Sequence, residues 1–336
     1  MSHMNRAAAL FIGFLLTASG VWAQSTSPNA LLVLAKQDSI LDIVDPVSLK
    51  VLARLPAGPD PHEVVASPDG RTAYISNYGF GAYHTLTVVD LAARKVLPIV
   101  DLGPLRGPHG LSFAGGKVWF TAEAAKAIGS YDPRTGKVDW IMGTGQNRTH
   151  MIYVFPDLNR IITSNVSSAT VSILEKTSNH ARMGPPQGDW NQTVVPVGRG
   201  SEGFDVSRDG RQIWVANAQD GTVSIIDLAS EKVAETLAAN VKGANRLKFT
   251  PDGKLVFISS LSSPYLAVFD AATRREVKKV KIGHGAAGIE MQPDGSRAYV
   301  ACSPDGYVAV IDLHSLEVVG RIEAGRGPDG LAWVGH

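Results

Sequence analysis

The chain has 336 residues, 44% of them hydrophobic, which is the composition of a globular protein with a sizeable core and excludes a disordered chain. Thirty-two basic residues stand against 31 acidic ones, and this net charge of +1 excludes a whole-protein field that would draw nucleic acid or an anionic membrane. Cys302 is the single cysteine, which excludes an internal disulfide.

The first 23 residues, MSHMNRAAALFIGFLLTASGVWA, place Arg6 before an apolar run at 7–16 and a small-residue site at 21–23. That is the pattern of a secretory signal peptide, so residues 24–336 are expected to form one exported domain, periplasmic or secreted. The apolar run is short for a bilayer and Gln-Ser-Thr-Ser follows it, so no membrane span is expected after cleavage.

Three strands come next, LLVLAK, SILDIVD and KVLARL, all before residue 58. From there the chain repeats. Turn signals recur as SPDG (67–70), FPDL (155–158), SRDG (207–210), TPDG (250–253) and QPDG (292–295), with AGGK (114–117) a shortened copy. An apolar pair closed by an acid ends at Asp45, Asp90, Asp132, Glu175, Asp227, Asp270 and Asp312, in steps of 45, 42, 43, 52, 43 and 42 residues. A period in the low forties is that of four-stranded propeller blades. Period-2 alternation within each unit reads as strands, and no segment after residue 24 carries a helical period. The last unit leaves a lone strand, PDGLAWV (328–334), which completes the three-stranded first unit. The expected fold is therefore all-β, a seven-bladed β-propeller of four-stranded antiparallel blades, closed by the C-terminal strand in the first blade.

Second strands reading Tyr74-Ile75-Ser76-Asn77, Trp214-Val215-Ala216-Asn217 and Tyr299-Val300-Ala301-Cys302 follow these turns and precede V-x-V-I-D-type strands. In this the chain resembles the YVTN-repeat β-propellers over nearly all of its mature length. The resemblance implies the fold; it leaves function open, because such propellers include binding proteins, surface proteins and relatives of lactone-hydrolysing enzymes.

The stretch GRGSEG (198–203) matches the dinucleotide fingerprint G-x-G-x-x-G, but GHGAAG (283–288) and GRGPDG (325–330) repeat it at the same place, and all lead into strands. A fingerprint without a following helix predicts no NAD or nucleotide site. Aligned on Glu202, the equivalent residues are His62, His109, His150, Asn245, Ala287 and Asp329, at the head of each innermost strand. Seven such residues should ring one mouth of the axial channel. Imidazoles with a carboxylate suit a divalent metal ion of unknown identity, so His62, His109, His150 and Glu202 are candidate ligands, and His109, His150 and Glu202 candidate catalytic groups. The competing reading is that these side chains hydrogen-bond the Gly-rich turns.

Three residues earlier, Arg106, Arg199, Lys242, His284 and Arg326 suggest a cationic collar, with Arg106 and Arg199 as anion-binding candidates. Asn77, Asn165 and Asn217 end second strands near the mouth, and Glu123 lies at or beside the matching place. With Asn245, and with Tyr83 and His84 of the 78–84 insertion, they complete the expected ligand-binding set. The 177–191 insertion falls on the opposite face, either as a tolerated long loop or as a partner contact with Trp190 as an exposed aromatic. No P-loop, G-x-S-x-G, H-E-x-x-H, CxxC or nucleic-acid motif occurs.

Two functions remain open. One is an exported propeller that binds a small anionic or carbonyl-bearing ligand at the His-rich mouth, in its bolder form a metal-assisted lactone or ester hydrolase or a lyase. The other is a non-catalytic scaffold whose partner is an envelope protein.

Overall fold

The structure, a computed structural model, describes residues 29–177 and 190–335. The expected signal peptide and most of the 177–191 insertion lie outside them. Among the described residues there are 28 strands in seven four-stranded sheets, and the helical segments are single 3-10 turns. The seven-bladed propeller expected from the repeat is therefore the fold.

Each blade runs outward in chain order; the third, for example, is Pro108–Ala114, Lys117–Ala122, Ala127–Asp132 and Lys137–Gly143. The exception is the first, where Pro328–Val334 lies innermost, followed by Ala30–Ala35, Ile40–Val44 and Val51–Pro56. The innermost strands touch in a closed ring, the seventh blade's Ala286–Met291 against Pro328–Val334 and that strand against Pro61–Ala66. Closure by the two ends of the described chain leaves no inner sheet edge unpaired.

The repeated acids close the outer hairpins. Asp90 and Asp312 accept the amides of Ala93 and Ser315 at 2.8 Å, and Asp45, Asp227 and Asp270 do the same in their blades. The core lies between blades rather than within one, as where Leu32, Leu34 and Leu41 of the first blade pack on Val64, Ala73 and Ile75 of the second.

One irregularity recurs and sets up the site. In the second to seventh blades the ladder between the two innermost strands skips two residues, as between Pro61 and Val64, Pro108 and Leu111, Thr149 and Ile152, and Ser201 and Phe204. The skipped pairs are His62-Glu63, His109-Gly110, His150-Met151 and Glu202-Gly203. Each mouth residue therefore sits in a bulge, free of the pleat that would fix its direction.

Side-chain hydroxyls replace the lost ladder bonds. Ser76, Thr121 and Ser164, on the second strands of blades two to four, accept the amides of Glu63, Gly110 and Met151 at 3.1, 2.9 and 3.3 Å. The same hydroxyls donate across to the next blade, to the carbonyls of His109, His150 and Glu202 at 2.8, 2.8 and 2.7 Å. Ser259 repeats the bridge between Arg246 and Ala287, whereas Ala216 and Ala301 hold the matching places in blades five and seven. Inner strands must approach closely for this to work. A Cβ on Gly110 would stand 2.5 Å from the His150 carbonyl oxygen, and one on Gly203 2.5 Å from that of Asn245.

Thr121→Val keeps the shape and removes the bridge, leaving the Gly110 amide and the His150 carbonyl buried without it. At about 1–3 kcal/mol for each such group, the variant should be about 2 kcal/mol or more less stable in denaturant unfolding. Unchanged stability would show that the hydroxyl bridges carry little.

Candidate functional site

The bulges turn three neighbouring imidazoles inward over one mouth of the channel. The His62 and His109 rings are 4.9 Å apart between centroids, and the His109 and His150 rings 3.8 Å. His150 lies between two carboxylates, Nδ1 2.5 Å from Glu123 Oε1 and Nε2 2.8 Å from Glu202 Oε2; the second is a charge contact without hydrogen-bond alignment. Glu123 does not come from the ring of mouth residues. It follows the second strand of the third blade, Lys117–Ala122, and there takes a second bond, from the Tyr78 hydroxyl to Oε2 at 2.5 Å. Tyr78 stands edge-on to both His62 and His109, at 4.7 and 5.0 Å.

These contacts set the charges. Burial disfavours the imidazolium of His150, yet Glu202 and Glu123 outweigh it and hold its pKa above the ordinary value. Burial pushes His109 well below the ordinary value, and the cationic His150 adds to this, so His109 is neutral. Burial also lowers His62, whose Nε2 accepts from Lys36 Nζ at 2.6 Å. Glu202 is held at about 2 although burial opposes ionisation, because His150 and Arg148 stand beside it, and Glu123 is lowered against burial in the same way. His109, Glu123 and His150 each offer a donor atom within 4.8 Å of the others, all three residues are buried, and His109 Nδ1 has no partner. Two imidazoles and a carboxylate so placed can hold a divalent ion.

The structure brings His62, His109, His150 and Glu202 together as expected, with Glu123 in place of Glu202 and His62 in the tightest donor set. Asn245 also lines the mouth. Other expectations need correction. Asn77, Asn165 and Asn217 are fully buried and face no ligand: Asn77 accepts from Thr85 and Thr87, Asn165 donates to Thr170 and Ser172, and Asn217 to Thr222 and Ser224. The amide nitrogens of Asn165 and Asn217 are spent on third-strand hydroxyls and that of Asn77 on the Ala57 carbonyl at 3.0 Å. Arg199 is tied to Asp220 at 2.8 Å, and Arg106 donates to the Gly81 carbonyl at 2.9 Å, so both brace an adjacent loop. His84 pairs with Asp101, and neither it nor Tyr83 lines the mouth cavity. Trp190 packs on Trp140 instead of standing exposed. Tyr78 of the 78–84 insertion lines a cavity of about 370 Å³ with the histidines, and so do Phe80, Lys36, Arg148 and Arg246, which were not anticipated there.

Below the mouth, the buried pair of Arg246 and Glu63 lines a second cavity of about 350 Å³, and Arg246 lines the first as well. There Lys248, Asp205 and Glu290 project from three consecutive inner strands. Burial pushes Glu290 up to about 7, with Asp205 and Glu63 adding to it and Lys248 opposing. Its folded value lies above the unfolded one of 4.5, so the folded chain keeps a proton that the unfolded chain has lost. Stability should fall as pH rises through that window and level off above it. Glu290→Gln is thus expected to raise the melting temperature at about pH 8 and leave it nearly unchanged at about pH 4. An equal gain at both would contradict this titration.

Residues 106–289 match the family described as the Cytochrome D1 heme domain. Among solved structures, a functionally unknown protein from Desulfotomaculum acetoxidans superposes with a TM-score of 0.75 at 15% identity, over 91% of this chain and 99% of that one. A candidate 6-phosphogluconolactonase from Bacteroides uniformis gives 0.73 at 15% identity over 92% and 100%. The dihydro-heme d1 dehydrogenase NirN gives 0.64 at 17% identity over 90% and 75%. No curated protein matches the chain. At these identities the structural likenesses establish the fold alone.

Proposed function

The chain belongs to the Cytochrome D1 heme domain family, and on that premise we propose that it is an exported propeller that binds a divalent metal ion and a small carbonyl-bearing ligand at the His-rich mouth, with lactone or ester hydrolysis as the reaction. The observation that carries this reading is the convergence of His109, Glu123 and His150 within 4.8 Å beneath a cavity of ligand size. All three lie inside the stretch that matches the family.

The charge balance supports an ion. Asp60, Glu63, Glu123, Glu202 and Asp329 face Lys36, Arg148 and Arg246 around the mouth, so even with His150 protonated the site is one positive charge short. A divalent ion in place of the His150 proton brings the balance to zero, and metal binding characteristically displaces such protons.

A haem fits these residues poorly. Its iron takes an axial nitrogen across a face wide enough for the macrocycle. Here the His109 and His150 rings crowd each other at 3.8 Å, tilted by 37°, Tyr78 stands edge-on to His109, and about 370 Å³ is small among ligand pockets, which span roughly 300–1,000 Å³.

A bound divalent ion would polarise the ligand carbonyl. Glu202 lines the same cavity outside the three-donor set and is the carboxylate placed to take a proton from an attacking water. Burial opposes its ionisation, but His150, Arg148 and Arg246 hold it at about 2, so it stands ionised as a proton acceptor. Tyr78 keeps Glu123 oriented.

Purified protein should contain about one equivalent of a divalent metal by mass spectrometric metal analysis. His109→Ala and His150→Ala should each weaken metal binding by more than the roughly 10–100-fold typical of supporting residues, and abolish lactone turnover. Wild-type protein that takes up no stoichiometric metal, or turnover that survives both substitutions, would overturn the reading.

A further inference from the structure

Among the cations near the mouth, Arg148 stands between two carboxylates without a hydrogen bond to either. Arg199, Arg326 and His284 occupy the collar position, and each contacts an acid of the adjacent loop: Asp220 at 2.8 Å, Asp38 at 2.6 Å and Asp305 at 3.2 Å. Those pairs are solvated turn contacts. Arg148 lies two residues before His150 and makes only long ion pairs, with carboxylates of the site itself. Its Nε stands 3.6 Å from Glu123 and its Nη1 3.6 Å from Glu202, beyond hydrogen-bond length, and Nε is buried with no partner.

Its backbone is also unusual. Arg148 adopts φ +54°, a left-handed conformation that a long side chain seldom takes. Two bonds pin it there, from the Val166 amide to the Arg148 carbonyl at 3.0 Å and from the Asn147 amide to Ser168 Oγ at 2.8 Å. Strain that is over-determined by its surroundings, at a side chain lining a cavity, points to a use for that side chain. Phe80, 83% exposed and itself at φ +50°, lines the same cavity, as does Leu261, 53% exposed.

We propose that Arg148 is the specificity-determining residue of the mouth, a guanidinium fork held open for the carboxylate or phosphate of an organic anion whose apolar part lies against Phe80 and Leu261. A planar fork with unpaired N–H groups is the shape that such oxyanions complete. Glu123 and Glu202 oppose an anion in the metal-free protein, and a divalent ion on His109, Glu123 and His150 cancels that opposition. Anion and metal affinity are therefore coupled, each raising the other. This inference rests on the reading of the mouth as a ligand site and narrows its ligand to an anion.

The test is calorimetric titration of phenylphosphate and inorganic phosphate into the full chain, with and without one equivalent of zinc. Phenylphosphate should bind, more tightly than inorganic phosphate and more tightly with zinc. Arg148→Gln should weaken it at least tenfold under both conditions, Arg148→Lys should recover part of the loss, and Arg199→Gln should change nothing. Absence of phenylphosphate binding by wild-type protein, or wild-type affinity in Arg148→Gln, overturns the assignment. Zinc content is measured separately on the same samples. Failure to take up zinc counts against the metal reading alone, because the Arg148 comparison is also made without it.

Discussion

The mouth depends on a bulge repeated around a ring. A propeller's innermost strands converge on the axis, and regular pleating would send alternate side chains sideways into the neighbouring blades. Skipping two residues of the ladder frees the first of them to lean over the channel, at the cost of two backbone groups that must find new partners. Ser76, Thr121 and Ser164 supply those partners, and because each hydroxyl also reaches the next blade, it ties His109, His150 and Glu202 to the scaffold in sequence. The three mouth residues closest to the proposed chemistry are the ones positioned by this run of bridges. The Glu202-Gly203 and Ala287-Gly288 bulges of blades five and seven take a bond from the preceding blade through Ser164 and Ser259, but Ala216 and Ala301 give them no hydroxyl from their own second strand.

On that rigid frame the electrostatics are deliberately unequal. Two imidazoles 3.8 Å apart are driven in opposite directions, His109 to neutrality by burial and by its neighbour, His150 to the charged form by two carboxylates. Divergent pKa values in adjacent groups are the mark of a site with work to do, although structural ion pairs produce them too. What separates the two cases here is the surplus of carboxylate. A purely structural cluster gains nothing from facing five acids with three permanent cations, while a site that receives a divalent ion gains neutrality.

Much of this was legible in the residues, and the limits have physical causes. The acids ending at Asp45 through Asp312, the PDG turns and the lone strand at 328–334 specify the blade count and the closure, because each reports a backbone requirement that recurs. Register alignment then finds His62, His109, His150 and Glu202 at one mouth, since one strand position means one height along the axis. It could not choose Glu123 over Glu202, because Glu123 sits one residue past its strand, where the side chain's direction depends on the turn. It misread Asn77, Asn165 and Asn217 for the opposite reason: within the strand their amides meet the hydroxyls of the third strand. The Ser/Thr one place before those strand ends was visible, but only the bulge gives it meaning. Arg148 was visible too, one place away from the collar, and its difference lies in the two carboxylates it faces, Glu123 and Glu202, which come from other blades.

The most direct test of the account is a crystal structure of the metal-loaded protein with anomalous data collected at the metal edge. A single peak bounded by His109, Glu123 and His150, with metal–ligand distances of about 2.0–2.2 Å and the Glu202 contact to His150 broken, is the predicted result. A loaded crystal with no peak there, and His150 still held between Glu123 and Glu202, would contradict it.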